Sequence, residues 1–259
     1  MGGAIIAIVG RGRIVVWEGA SLWLLTSGDS DADVSPHAHH AIQITFGLQG
    51  SFALSTDRDC QSGPIVAVAS DTSHLFRASG AVAFLFVAPE SAAGIALAAD
   101  LFRQAPLVKL ASPQALAARA ALQSCIEHGT SDAALRALGR RIVADLPDGA
   151  GAARPDPRVL AMIAWATDRL DDRITLARAA DHINLSQSRA RHLFAAHTGL
   201  PFKTYVRWLR IERAVQLYAG GTSLTEAAHQ AGFADSAHFS RTFRRTFGLP
   251  AAALRLTHD

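Results

Sequence analysis

The stretch GFADSAHFSRTFRRTFG, residues 232–248, decides the fold. Phe239, Phe243 and Phe247 recur every four residues, the spacing that stacks side chains on one face of an α-helix. The opposite face carries Ser236, Ala237, His238, Arg241, Arg244 and Arg245. Asp235 stands where a helix wants an N-cap, and Gly232 where a tight turn wants a flexible backbone. Upstream, Leu224–Gln230 reads as a short first helix. Helix, turn and second helix form a helix-turn-helix unit. An apolar stripe opposite a cationic, hydrogen-bonding one lets such a helix pack on its own domain and still meet base edges in a major groove.

The unit occurs twice. Thr198-Gly199-Leu200-Pro201 recurs as Phe247-Gly248-Leu249-Pro250, Phe194 as Phe243, and Ser186 falls opposite Asp235. A constant offset between matching positions is the mark of a repeated supersecondary unit. In the first copy Leu176–His182 is the short helix, and Asn184 sits at the turn, where positive φ must be tolerated. Ser186 caps the helix that runs through Arg189, His192 and Phe194. A helix from about Phe202 to Ala219 joins the copies. At ~1.5 Å per residue it spans roughly 27 Å, near the ~34 Å between successive major-groove turns on one side of a duplex. Arg207, Arg210 and Arg213 lie along it, within reach of phosphates.

With these residues in this order, roughly residues 158–256 resemble the AraC/XylS family of bacterial transcription regulators. Leu176, Ala180, Ser186, Phe194, Gly199, Tyr205 and Arg210-Ile211-Glu212-Arg213-Ala214 fall on that family's pattern. The resemblance implies double-stranded DNA as partner. It implies base contacts from Ser188, Arg191 and His192 in the first unit, and from Ser236, Ala237, His238 and Arg241 in the second. Two positions depart from it. Asn184 replaces the usual turn glycine, and Pro250 comes one residue early, with Ala251 in the usual proline's place.

The N-terminal half reads differently. Ile14–Trp17, Leu22–Leu25, Ile42–Leu48, Ile65–Val68 and Val82–Val87 are short, β-rich runs separated by turn clusters such as Ser27-Gly28-Asp29-Ser30-Asp31. Such spacing predicts a small barrel or sandwich. Around the third run His37, His39, Ala41, Gln43 and Thr45 share one parity, and Ile42, Ile44, Phe46 and Leu48 the other, so one strand face is polar and one apolar. His74 follows a turn at Ser70–Ser73, and His40, of opposite parity to His39, is expected at the surface of the barrel rim. The set His37, His39, Gln43, Gly50 and His74 resembles the cupin motifs, with Gln in place of their Glu. The resemblance implies a site for an ion or a small molecule. Three readings stand open for it. One is an organic effector pocket; another is a divalent metal on His37, His39, Gln43 and His74; the third is a silent barrel with internally bonded histidines. Gln adds no charge for a hard metal ion.

From Ser112-Pro113, a cap and first helical position, the pattern turns helical, with a second amphipathic helix marked by Leu135, Leu138, Ile142 and Leu146. Residues 147–157 (PDGAGAARPDP) read as a linker. The expected organisation is thus an α+β two-domain chain. A cupin-like β-barrel over about 13–88, with helices over about 91–146, makes an effector and dimerisation domain. The linker over 147–157 follows, then an all-α domain with two helix-turn-helix units over 158–259.

Charge agrees with this split. Residues 158–259 carry 14 Lys and Arg against 8 Asp and Glu, and residues 1–157 carry 11 against 14, so only the C-terminal part suits a polyanion. Cys60 and Cys125 make no CxxC pair or metal spacing, and the apolar stretch Ala4–Val9 has no basic residue ahead of it. The longest apolar runs fall short of the ~20 residues a membrane span needs. The expectation is a cytoplasmic homodimer with no membrane partner, and with RNA polymerase as partner if it activates. No HExxH, P-loop, nucleophile elbow or CxxC motif suggests catalysis. The alternative to a regulator is a metal-dependent cupin enzyme with an accessory helical domain.

Overall fold

The computed structural model describes residues 10–27, 34–147 and 155–257. The stretch Ala4–Val9, most of the turn cluster after Ser27 and most of the expected linker lie outside them. The chain divides into two compact units, Met1–Ala152 with Phe243–Asp259, and Ala153–Thr242.

In the first unit the strands are β1 (Gly10–Trp17), β2 (Ala20–Ser27), β3 (Ile42–Gly47), β4 (Ser51–Ser55), β5 (Cys60–Ser62), β6 (Ile65–Val68), β7 (Leu75–Ser79) and β8 (Ala81–Val87). Helix α1 (Ala92–Leu101), strand β9 (Leu107–Lys109) and helices α2 (Pro113–His128) and α3 (Asp132–Asp145) follow. The final strand, β10 (Arg255–Leu256), pairs in parallel with β1. One sheet has seven strands in the order β10-β1-β2-β8-β3-β6-β9, and the other has three, β5-β4-β7. The expected barrel is therefore two sheets rather than one closed ring.

Side-chain alternation sorts the large sheet into two faces. Leu22, Leu24, Ile42, Ile44, Phe46, Ala83 and Leu85 pack in one core with Ala115, Ala118 and Leu122 of α2 and Leu135, Ile142 and Val143 of α3. Their neighbours in sequence, Trp23, Leu25, Gln43, Thr45, Phe84 and Phe86, point the other way, as period two requires. There Phe76 of the small sheet meets Phe84, ring centroids 4.8 Å apart. Ser112 and Ser131 cap α2 and α3 through side-chain oxygens that accept from Ala115 and Ala134 amides.

The second unit is helical: α4 (Pro157–Thr167), α5 (Leu176–His182), α6 (Gln187–Thr198), α7 (Phe202–Ala219) and α8 (Leu224–Gln230). Helix α9 (Ser236–Phe247) begins in this unit and ends in the first. Val159, Met162, Trp165, Ala179, Ala190, Phe194, Tyr205 and Leu209 form the core that α4 to α7 share. Among the described residues, no helix is long and apolar enough to cross a membrane.

Strands β4, β5, β7 and β9 and helix α1 have no boundaries in the sequence reading. They are short, and β4, β5 and β7 carry Ser, Arg and Cys on exposed positions, so their apolar signal is thin.

Candidate nucleic-acid interface and histidine cavity

Each helix-turn-helix unit is built by local chemistry. In the first, Thr175 caps α5, Asn184 takes φ 53° at the turn, and the Ser186 hydroxyl accepts from the Arg189 amide to start α6. In the second, Ser223 caps α8, Gly232 takes φ 79°, and Asp235 Oδ1 accepts from the His238 amide at 2.6 Å to start α9. Buried Ala179, Ala180, Ala190 and Phe194 seat the first pair of helices, and Ala227, Ala228, Phe233 and Phe239 seat the second.

That packing leaves the polar faces open. On α6 Ser188, Arg191 and His192 are exposed. On α9 Ser236, Ala237, Arg241 and Arg245 are exposed, while His238 and Arg244 are half-buried. Ala237, Arg241 and Arg245 follow one another at intervals of four along a single helix face. Helix α7 has 18 residues, the length expected for the connector. Arg207 on it is exposed. Arg210 is half-buried. Its Nη2 donates to Leu170 O at 3.2 Å, and burial lowers its pKa despite Asp171 nearby. It ties the turn after α4 to α7, because the connector's inward-leaning side faces that turn.

The second candidate site lies between the sheets of the first unit. The backbones of His37 and His74 hold each other by paired hydrogen bonds, His37 N to His74 O at 2.9 Å and His74 N to His37 O at 2.8 Å. That pairing brings His37, His39 and His74 together, each with one ring nitrogen within 4.8 Å of the others. All three are buried, and burial pushes their pKa values down, to about 3 for His37, where His74 nearby adds to the effect. They are neutral imidazoles.

Their tautomers follow from their neighbours. His37 Nδ1 donates to Ser35 O at 3.1 Å and His74 Nδ1 to Thr72 O at 2.8 Å. The proton thus sits on Nδ1, and Nε2 keeps its lone pair. Among the described residues His74 Nε2, fully buried, has no hydrogen-bond partner. His39 Nδ1 meets Ala41 O at 2.9 Å, and its Nε2 meets the Gln43 amide at 2.8 Å. The same amide reaches Thr45 Oγ1 at 2.9 Å. With a carbonyl at Nδ1, neutral His39 needs a donor at Nε2, which the Gln43 amide supplies once its two ends are exchanged. Three imidazoles with carbonyl-anchored Nδ1 and convergent Nε2 are the donor set a borderline transition metal takes. Gln43 sits on His39 as its partner.

His40 is a correction. Parity placed it at the surface, but it is 2% exposed. Its Nδ1 lies 3.1 Å from Asp71 Oδ2 and its Nε2 3.0 Å from Glu90 Oε2. Burial works to lower its pKa, but the hydrogen bonds and charges of the two carboxylates outweigh it and hold it at about 9. The partners lie 31 and 50 residues away. Sequence reasoning also missed the aromatic wall of this cavity, formed by Trp23, Phe76, Phe84, Phe86 and Phe247. The only sequence signal for it is alternation, since Trp23, Phe84 and Phe86 flank the core-facing residues of β2 and β8.

Comparisons with known proteins agree with this geometry. Residues 179–257 match a helix-turn-helix domain model. The uncharacterized HTH-type transcriptional regulator YpdC of Escherichia coli K12 is 34% identical over 110 residues, 42% of this chain and 39% of that protein. The HTH-type transcriptional activator RhaS of Escherichia fergusonii is 35% identical over 105 residues, 40% of this chain and 38% of that protein. The match therefore spans about two fifths of the length of these curated relatives. Across both halves, an apo structure of a ToxT variant from Vibrio cholerae aligns with TM-score 0.60 at 13% identity, covering 92% of this chain and 97% of that one. It shares the fold, a β-rich N-terminal domain followed by a helical C-terminal one. Over residues 179–257 the chain is thus similar to the helix-turn-helix domains of such transcriptional regulators.

Proposed function

We propose that this chain is a sequence-specific, double-stranded DNA-binding transcription regulator of the AraC/XylS type, acting without catalysis, in the cytoplasm and as a homodimer. One observation carries the reading. Two independently capped helices, α6 and α9, present Ser188, Arg191 and His192 and Ser236, Ala237, His238 and Arg241 on either side of one 18-residue connector. Arginine and serine at such positions pair with base edges, exposed Ala237 offers a methyl to a thymine, and Arg207 and Arg245 suit phosphates. The N-terminal unit acts as a sensor for a small ligand in the cavity beside Gln43 and the histidines; if the protein activates, RNA polymerase is the further partner.

The test is selection of genomic DNA fragments with the purified full chain. Enrichment of one shared sequence, with affinity that falls steeply as salt rises, supports the reading. Uniform retention of all fragments, or none, refutes it.

A second reading concerns the same cavity and rests on the unpartnered His74 Nε2. It is that His37, His39 and His74 hold a divalent transition metal, with Gln43 released from His39. Elemental analysis after exposure to zinc or cobalt tests it: stoichiometric metal that disappears in His74→Ala supports it, and equal metal in both proteins contradicts it.

A further inference from the structure

The cavity between the sheets has one wall from outside the β-strands. Phe247, the last residue of α9, places its ring 5.0 Å from Trp23, 5.7 Å from Phe86 and 6.1 Å from His39, centroid to centroid. Leu249 lines the cavity beside it. Next to Phe247, Gly248 lies against the histidine loop. Its carbonyl accepts from the Ser35 amide at 3.0 Å, and a Cβ there would come within 2.3 Å of His37 Nδ1. Beyond it Ala251 and Leu254 are buried, β10 adds to the edge of the large sheet beside β1, and the Thr257 amide donates to Gly12 O at 2.9 Å. The segment after the second helix-turn-helix unit is thus built into the sensor fold.

The free space decides what this means. About 30 Å³ is left among Trp23, His37, Gln43, Phe76, Phe86 and Phe247. That holds a water or two, at ~10–15 Å³ each, far below the ~300 Å³ at which small-molecule sites begin. Aromatic walls on one side and His37 with Gln43 on the other describe a seat for a ring with a polar head. The largest movable occupant of that seat is the Phe247 ring, because Trp23, Phe84 and Phe86 are fixed by their strands.

We propose that this seat takes a small aromatic ligand with a hydrogen-bonding head, and that ligand and Phe247 occupy it in turn. Ligand entry expels the end of α9, and with it the anchor of the helix that carries Arg241. Conversely, seating Phe247 holds that end of the helix in the sensor fold. This deepens the sensor reading above and rests on it for its consequence at DNA, though the competition itself does not depend on DNA binding. A ligand with equal affinity for both arrangements shifts neither, so the coupling equals the ligand's preference for the Phe247-out form.

The experiment uses the full chain and 4-fluorophenol, a ring of phenylalanine size with a hydroxyl head, followed by fluorine NMR. Phe247→Ala leaves the seat vacant, and the probe binds it about tenfold or more tighter than it binds the unaltered protein, as removal of a competing occupant requires. Phe247→Leu, which keeps an apolar anchor and guards against a folding defect in the alanine variant, falls between. In the unaltered protein, saturating probe speeds hydrogen exchange at the Gly248 and Thr257 amides. Equal affinity in all three proteins, no binding to any of them, or binding without a change in exchange at those amides overturns the proposal. Failure of the DNA reading registers separately, in fragment selection, and leaves these outcomes as they are.

Discussion

The two helix-turn-helix units begin alike and end differently. Each opens on a side-chain cap, turns through a residue of positive φ, and closes its second helix on a left-handed glycine, Gly199 at φ 72° and Gly248 at φ 73°. A Cβ added at Gly199 meets nothing within 4 Å, whereas one at Gly248 runs into His37 and the Ser35 carbonyl. The residue before each glycine differs too. Thr198 satisfies itself locally, its hydroxyl donating to Phe194 O at 2.8 Å. Phe247 sends a ring into the aromatic cavity between the sheets instead. The first copy of the repeat lies wholly in the helical unit, and the end of the second belongs to the β-rich one.

The largest effect expected from this contrast is in stability. Gly248→Ala forces both a strained φ and an overlap with backbone and imidazole, and lowers unfolding free energy by about 3 kcal/mol or more. Gly199→Ala carries only the left-handed penalty of about 1–2 kcal/mol. Urea unfolding of the two variants compares them directly, and equal losses would break the contrast. Next come the reading faces, where the units should match. Arg191→Ala and Arg241→Ala are each expected to weaken operator binding by about 1–3 kcal/mol, roughly fivefold to 150-fold, in titrations at fixed salt. A loss confined to one of them would make the other unit a passive support. The caps should also match: Ser186→Ala and Asp235→Ala each cost about 1 kcal/mol of stability. The smallest effect lies on the connector. Arg207→Ala lowers affinity for all sequences alike and reduces the salt slope by about 0.9. Arg210→Ala leaves that slope unchanged and lowers stability, since its guanidinium already serves Leu170 O.

The helical half was legible because its signals are local. Caps, turns and four-residue spacings act within a few positions, and the repeat states them twice. The polar parity of His37, His39 and Gln43 was legible for the same reason. What sequence did not reveal are contacts made across the fold. His40 reads as a rim residue by alternation, but Asp71 and Glu90, distant in sequence, enclose it. Phe247 reads as the third member of a core stripe with Phe239 and Phe243, and nothing in the four-residue spacing says that its ring packs on Trp23 and Phe86. The expected boundary at the linker likewise could not show that Phe243–Asp259 returns to the N-terminal unit. Short strands such as β4, alternating Ser with Phe and Leu, carry too few apolar residues to stand out from loops.

The central claim, that both capped helices read one duplex, is tested most directly by hydroxyl-radical footprinting of the full chain on a selected operator. Two protected stretches are expected on one face of the DNA, about one helical turn, ~10 base pairs, apart for each bound chain, with Arg191→Ala opening one and Arg241→Ala the other. A single protected stretch that responds to only one of these substitutions would contradict it.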